Sequence, residues 1–224
     1  MEKKRNRSGF KKFIILLLCV ILAQGVITVP FMAEKVQAAT VKKGLKKEGN
    51  YYYFYANNKK VTNTWKTIKT TSNGKTVSYK YYFGSNGRAY AAKDLKKSMK
   101  YNKNVVLKKI GNYYYGFDRL GHMVKSGYYN NPMKYDSNGD SYTYYFDKNG
   151  RCNSAKSKAI RKAGAYQADA AAIRKILGKP KKEIKLNSCY GEPGDDYRLN
   201  YANIYVTIHR YPDKREMVFG IFPM

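Results

Sequence analysis

Tyr142-Thr143-Tyr144-Tyr145-Phe146-Asp147-Lys148-Asn149-Gly150-Arg151 sets a run of aromatic residues directly before an Asn-Gly pair. Tyr and Phe fit a pleated, half-buried surface, so the run reads as a strand. Asn-Gly supplies the positive φ values that a tight hairpin turn requires. The same phrase stands earlier in the chain. Tyr79-Lys80-Tyr81-Tyr82-Phe83, followed by Asn86-Gly87-Arg88, precedes it by 63 residues. A second echo, Gly49-Asn50-Tyr51-Tyr52-Tyr53 with Gly111-Asn112-Tyr113-Tyr114-Tyr115, runs at 62 residues. Residues 44 to 151 are therefore two copies of one unit, each with two aromatic strands. Asn73-Gly74 and Asn138-Gly139 add further turn signals, with Asn57-Asn58 and Leu120-Gly121 as weaker ones. The repeating phrase reads as aromatic strand, Asn-Gly turn, polar strand. No lone hairpin buries enough surface to stand in water. Stacked hairpins bury a shared tyrosine ladder, which predicts a mostly β, solenoid-like hairpin array. Tyrosine suits that role because its ring packs while its hydroxyl reaches solvent or a partner.

Composition shifts after Arg151. Apolar residues at Ala159, Ile160 and Ala163, then Ala170, Ile173, Ile176 and Leu177, follow a helical period. Gly164 divides it into two helices. Asp169 opens the second, and Gly178 with Pro180 ends it. Tyr197 to Tyr201, Ile204 to Tyr211 and Glu216 to Phe222 read as strands, with Pro212-Asp213-Lys214 turning between the last two. The expected organisation is a leader over 1–39, hairpin repeats over 40–152 and a small α+β (ααβββ) module over 153–224.

The leader reading rests on order. Lys3, Lys4, Arg5, Arg7, Lys11 and Lys12 precede an apolar run from Phe13 to Val29, and Val36-Gln37-Ala38-Ala39 offers small residues at a cleavage spacing. That is the pattern of a secretory signal. A retained membrane anchor is the alternative, since the run approaches the ~20 residues that span a bilayer. Either way the remainder is expected outside the cell, as a secreted or surface-attached protein.

The whole chain carries a formal charge of +29. Beyond Ala39 there are 37 basic and 13 acidic residues, a balance of +24. Such a charge repels itself in a compact fold and points to a polyanionic partner. Outside a cell the candidates are teichoic acid, anionic glycan, a membrane surface or DNA. Cys152 and Cys189 remain beyond the leader, enough for one disulfide or two free thiols. His122 and His209 are far apart, with no further ligand at metal spacing, so no metal or cofactor is expected.

The array resembles the cell-wall-binding repeats of choline-binding and glucan-binding surface proteins of Gram-positive bacteria. The stretches that carry the resemblance are Gly44-Leu45-Lys46-Lys47-Glu48-Gly49-Asn50-Tyr51-Tyr52-Tyr53-Phe54, Phe117 to Met123 leading to Ser126-Gly127-Tyr128, and Tyr144 to Gly150. The resemblance implies a wall-binding hairpin array. It also shows a departure. Aromatic cages for choline are often tryptophan-rich, and this chain has one tryptophan, Trp65. The corresponding positions hold Leu45, Tyr51, Lys80, Tyr113, Tyr128 and Thr143. A lysine in a cage wall repels a cation, so the residues point away from choline and toward a neutral or anionic glycan. Trp65, Tyr51, Tyr81, Tyr113, Tyr128 and Tyr144 are the expected ligand-facing rings. The C-terminal segment is similar to modules of the β-lactamase-inhibitor-protein and outer-membrane assembly lipoprotein type, on Ile176 to Pro180, Asn187-Ser188-Cys189, Gly194 to Tyr197 and Ile204 to Ile208. Modules of that type imply a docking surface for a protein partner.

No catalytic constellation stands out. Cys189 and His209 would need a third, orienting group in a cleft. Asp195-Asp196 before a strand reads as turn or solvated charge rather than a glycosidase pair. The expectation is a non-enzymatic wall-binding protein. The rival expectations are a secreted inhibitor acting through residues 155 to 224, and an extracellular nucleic-acid binder.

Overall fold

The computed structural model describes residues 41–72, 74–93, 104–188 and 191–224. The expected leader, residues 1–39, lies outside them. The first hairpin pairs β1 (Gly44–Glu48) with β2 (Tyr51–Ala56), and β2 carries the short β3 (Lys59–Lys60) on its other edge. The second is the long β4 (Thr64–Ser72) with β5 (Lys75–Phe83). The third pairs β6 (Val106–Ile110) with β7 (Tyr113–Phe117). The fourth sheet runs β8 (Gly127–Tyr135), β9 (Ser141–Phe146) and β10 (Cys152–Asn153). All pairings are antiparallel. The protein is mostly β, an array of hairpins followed by a small α+β part, as the repeat predicts.

The echo seen in the sequence is an echo in space. Arg88 bridges Tyr53, and Arg151 bridges Tyr115. The Arg88 guanidinium lies 3.9 Å above the Tyr51 ring, and that of Arg151 lies 3.9 Å above Tyr113. Phe83 and Phe146, the closing residues of the two aromatic strands, are both wholly buried.

The strand order differs from the expected phrase. The polar strands β1 and β6 come before the tyrosine strands, and the turns between them fall on Gly49-Asn50 and Gly111-Asn112. Both glycines stand at φ +57°, where a side chain is strained. Three further turns share a carboxylate clamp. Asp118 Oδ1 accepts from the amides of Leu120 and His122, and Asp147 Oδ1 from those of Asn149 and Arg151. Asp136 does the same for Asn138 and Asp140.

Two helices follow: α1 (Ser154–Ala163), capped by Asn153 and ending at Gly164, and α2 (Ala170–Leu177), capped by Asp169 and ending at Gly178. A four-stranded antiparallel sheet then runs β11 (Lys182–Leu186), β12 (Asp195–Asn200), β13 (Ile204–Arg210) and β14 (Glu216–Pro223). The module is thus ααββββ. The additional strand β11 reads Lys-Glu-Ile-Lys-Leu, too short and too charged at the edge to stand out by pattern.

Three cores hold the chain. Tyr81, Phe83 and Ala89 centre the first, with Phe54 and Ile68 against them. Val105, Val124, Tyr144 and Phe146 form the second. The third lies between the helices and the four-stranded sheet, around Ile160, Ile173, Val206 and Ile208. The fourth hairpin is shared: α1 packs on β9, and β14 packs on β8. Residues 41–224 consequently form one compact unit. Among the described residues no helix is long and apolar enough to cross a membrane.

Candidate functional site: a cationic aromatic groove

A depression of about 830 Å³ lies where the second hairpin meets the third and fourth. It is lined by Tyr79 and Lys80 of β5, Tyr115 of β7, Tyr129 of β8, and Lys125, Lys148 and Arg151. The geometry follows from the turn at Asp118. With its Oδ1 clamping two amides, Asp118 leaves Oδ2 at 3.1 Å from His122 Nδ1. The imidazole is thereby held flat on Tyr79, with centroids 3.7 Å apart and planes 13° apart, and edge-on to Tyr81 at 5.2 Å. Next to it the Met123 amide donates to the Lys80 carbonyl at 2.7 Å, which joins the successive hairpins.

Trp65 packs against Tyr115 without lining the depression. Its ring meets Tyr82 and Tyr115 edge-on at 5.1 and 5.0 Å and stacks on Phe117 at 5.9 Å. Lys80 Nζ sits 4.6 Å above the indole. Among the described residues no carboxylate comes within ion-pair distance of Lys80, Lys125, Lys148 or Arg151. Uncompensated cations beside aromatic faces can bind phosphate or carboxylate groups while the rings cover sugar or other apolar faces.

The six rings expected to face a ligand fall into three environments. Tyr51 and Tyr113 are 45 % and 46 % exposed, each with one face covered by its arginine. Tyr81 and Tyr144 are core rings, each 4 % exposed, and burial pushes both phenols up to about 12. Trp65 and Tyr128 are half-buried. Tyr128 packs against the C-terminal core, and burial raises its phenol as well. The groove's own rings and cations, Tyr79, Tyr115, Tyr129, Lys125, Lys148 and Arg151, were not singled out from the sequence as ligand-facing. One signal was present: Asn-Gly-Arg recurs in both copies, and its arginine lands on a tyrosine face each time.

No protein family matches the chain. No curated protein matches it either. Parts of it are similar to solved structures at low overlap. The modular Cpl-1 endolysin complexed with a peptidoglycan analogue is 19 % identical over 50 % of this chain and 31 % of its own, with a TM-score of 0.23. Alternansucrase in complex with isomaltotriose is 14 % identical over 78 % of this chain and 9 % of its own, at 0.24. CbpJ from Streptococcus pneumoniae is 14 % identical over 74 % and 70 %, at 0.15. The chain spans under a third of the first two proteins. The expected likeness of residues 153–224 to modules of the β-lactamase-inhibitor or assembly-lipoprotein type has no support among these matches.

Of the residues weighed for catalysis, His209 and Asp196 meet each other. His209 is fully buried, its Nδ1 2.7 Å from Asp196 Oδ1 and its Nε2 3.2 Å from the Pro193 carbonyl. Asp195 instead meets Lys185 at 2.8 Å, so the adjacent acids serve separate partners on opposite faces of β12. Cys189, weighed as a nucleophile and set aside, and a possible disulfide half with Cys152, lies outside the described residues. Cys152 is a free thiol 3.6 Å from the Ser157 hydroxyl, raised in pKa by burial and so less nucleophilic than an exposed cysteine.

Proposed function

We propose that this is a non-catalytic protein of the cell exterior that holds an anionic wall polymer, teichoic acid or a charged glycan, in the groove between its hairpins. The observation that carries the reading is the groove itself, where Lys80, Lys125, Lys148 and Arg151 line one depression together with Tyr79, Tyr115 and Tyr129. Its chemistry matches the large positive charge of the chain. Choline has no favourable place there, because the same cations repel a quaternary ammonium.

Sedimentation of the protein with purified Gram-positive wall tests this reading. Binding is expected to fall steeply with salt, because each phosphate contact releases counterions. It is also expected to drop on wall stripped of its phosphate polymer, and to weaken in the K80A/K148A double variant. Salt-independent binding, or equal binding to stripped wall, would remove the electrostatic basis. Release of soluble wall fragments during the incubation would count against a non-catalytic role.

A further inference from the structure

The groove does not end on the hairpins. Asn203, in the turn between β12 and β13, lines it and also lines a second depression of about 260 Å³. That depression is formed by Gly127 and Tyr128 of β8, Ile176 and Leu177 of α2, and Lys179 and Lys181 just after the helix. Tyr128 and Tyr129 are successive residues of one strand and point to opposite faces, so each enters one depression. Asn203 and Tyr129 both line the larger depression. Asn203 also sits beside Gly127, where an added Cβ would stand 3.1 Å from its Nδ2. A side chain at Gly127 would therefore press on Asn203, the residue that the two depressions share. Among the described residues Lys179 and Lys181, like the groove lysines, have no carboxylate at ion-pair distance.

We infer that the two depressions form one track, and that the C-terminal module extends the polymer site instead of serving only as a separate docking surface. The inference rests on the reading under Proposed function and names its ligand further: an extended phosphodiester polymer of the wall, long enough to occupy both depressions. Charge complementarity selects it. Lys80, Lys125, Lys148 and Arg151 lead to Lys179 and Lys181, while Asp118, the one acid of the track, is held by His122. Between the cations lie ring faces and the aliphatic side chains of Ile176 and Leu177, suited to the carbon skeleton between phosphates. Occupying two linked sites with one chain raises affinity without new kinds of contact.

The test is equilibrium binding of the full chain to long poly(glycerol phosphate) and to fragments of a few units, over a range of salt. Long polymer is expected to bind the wild type more tightly than fragments. The K179A/K181A variant is expected to lower the slope of log K against log salt for long polymer by about 1.4, from about 0.7 per lost phosphate contact. Gly127→Val, which keeps every cation but displaces Asn203 where the two depressions meet, is expected to reduce the advantage of long polymer over fragments. An unchanged slope in K179A/K181A overturns the track. So does an unchanged length dependence in Gly127→Val, provided its circular dichroism matches the wild type. In both of those results the wild type still binds and K80A/K148A still weakens it, so the groove reading stands. A wild type that binds no phosphate polymer sinks both. Tighter binding of single-stranded DNA than of poly(glycerol phosphate) would overturn the wall polymer as occupant.

Discussion

Gly116 is the residue at which the two copies of the repeat part company. At the corresponding place the first copy has Phe54, whose ring packs 6.1 Å from Phe83. In the second copy a Cβ at Gly116 would lie 2.4 Å from Phe146 Cζ and 2.7 Å from Val124 Cγ2. The wholly buried Phe146 ring thus lies across a bare stretch of backbone. Gly116→Ala is expected to destabilise the fold by about 1–3 kcal/mol, the usual cost of overpacking a filled core. A urea titration followed by Trp65 fluorescence measures it, and an unchanged midpoint would mean that the ring moves aside freely. The same scale shows what the residues could not tell by themselves. In strands where consecutive positions are all aromatic, alternation no longer separates inside from outside. Tyr81 and Tyr144 went to the core, and Tyr51 and Tyr113 to the surface, by packing with Phe83, Phe146 and the two arginines.

Elements were legible where their ends carry chemistry. Gly164, Asp169 and Gly178 mark the helix limits because caps and close approach act locally; a Cβ at Gly164 would lie 2.3 Å from Ile221 Cδ1. Strand β11 was not legible, because its place is set by a distant ion network. Arg174 of α2 and Arg210 of β13 both hold Glu216 of β14, and both reach Glu183 of β11. Burial pushes the Glu216 carboxyl up, but hydrogen bonds and charge from the two arginines more than reverse it and leave it below its ordinary value. Glu48 is held down to about 2 by hydrogen bonds from Lys42, Tyr55 and Lys60. A carboxyl with a depressed folded pKa contributes stability above its unfolded value, near 4.5, and loses it as pH falls through the folded one. Thermal midpoints are therefore expected to drop as pH is lowered below about 4.5. Glu216→Gln should be less stable than the wild type at neutral pH and show a shallower acid decline. Parallel pH profiles for the two proteins would show that the network contributes nothing.

At the scale of the whole molecule, the repeat made the hairpin array legible, since an echo of 62 to 63 residues can only be built from like units. The join between array and module was not legible, because it depends on single polar contacts far apart in sequence. Asn130 of β8 is wholly buried, and its Nδ2 lies within bonding distance of the Ser141 hydroxyl, the Thr143 hydroxyl and the Ile221 carbonyl of β14. The Ser141 hydroxyl donates to that same carbonyl at 3.0 Å, and the Tyr145 amide donates to Ser157 of α1 at 2.9 Å. Hairpin and module therefore share one polar seam as well as the contacts of α1 with β9. A shared seam makes unfolding cooperative, and the molecule carries a probe at each side of it. Trp65, the sole tryptophan, reports on the hairpins through its fluorescence, and α1 with α2 report on the module through helical circular dichroism. The two signals are expected to melt together, as in a two-state transition. Asn130→Ala removes the donor at the centre of the seam and should lower both midpoints by the same amount, equivalent to about 1–3 kcal/mol for polar groups left without their partner. Separate melting of the two signals in the wild type would show that the seam does not couple them, and a shift of only one signal in the variant would confine Asn130 to that side.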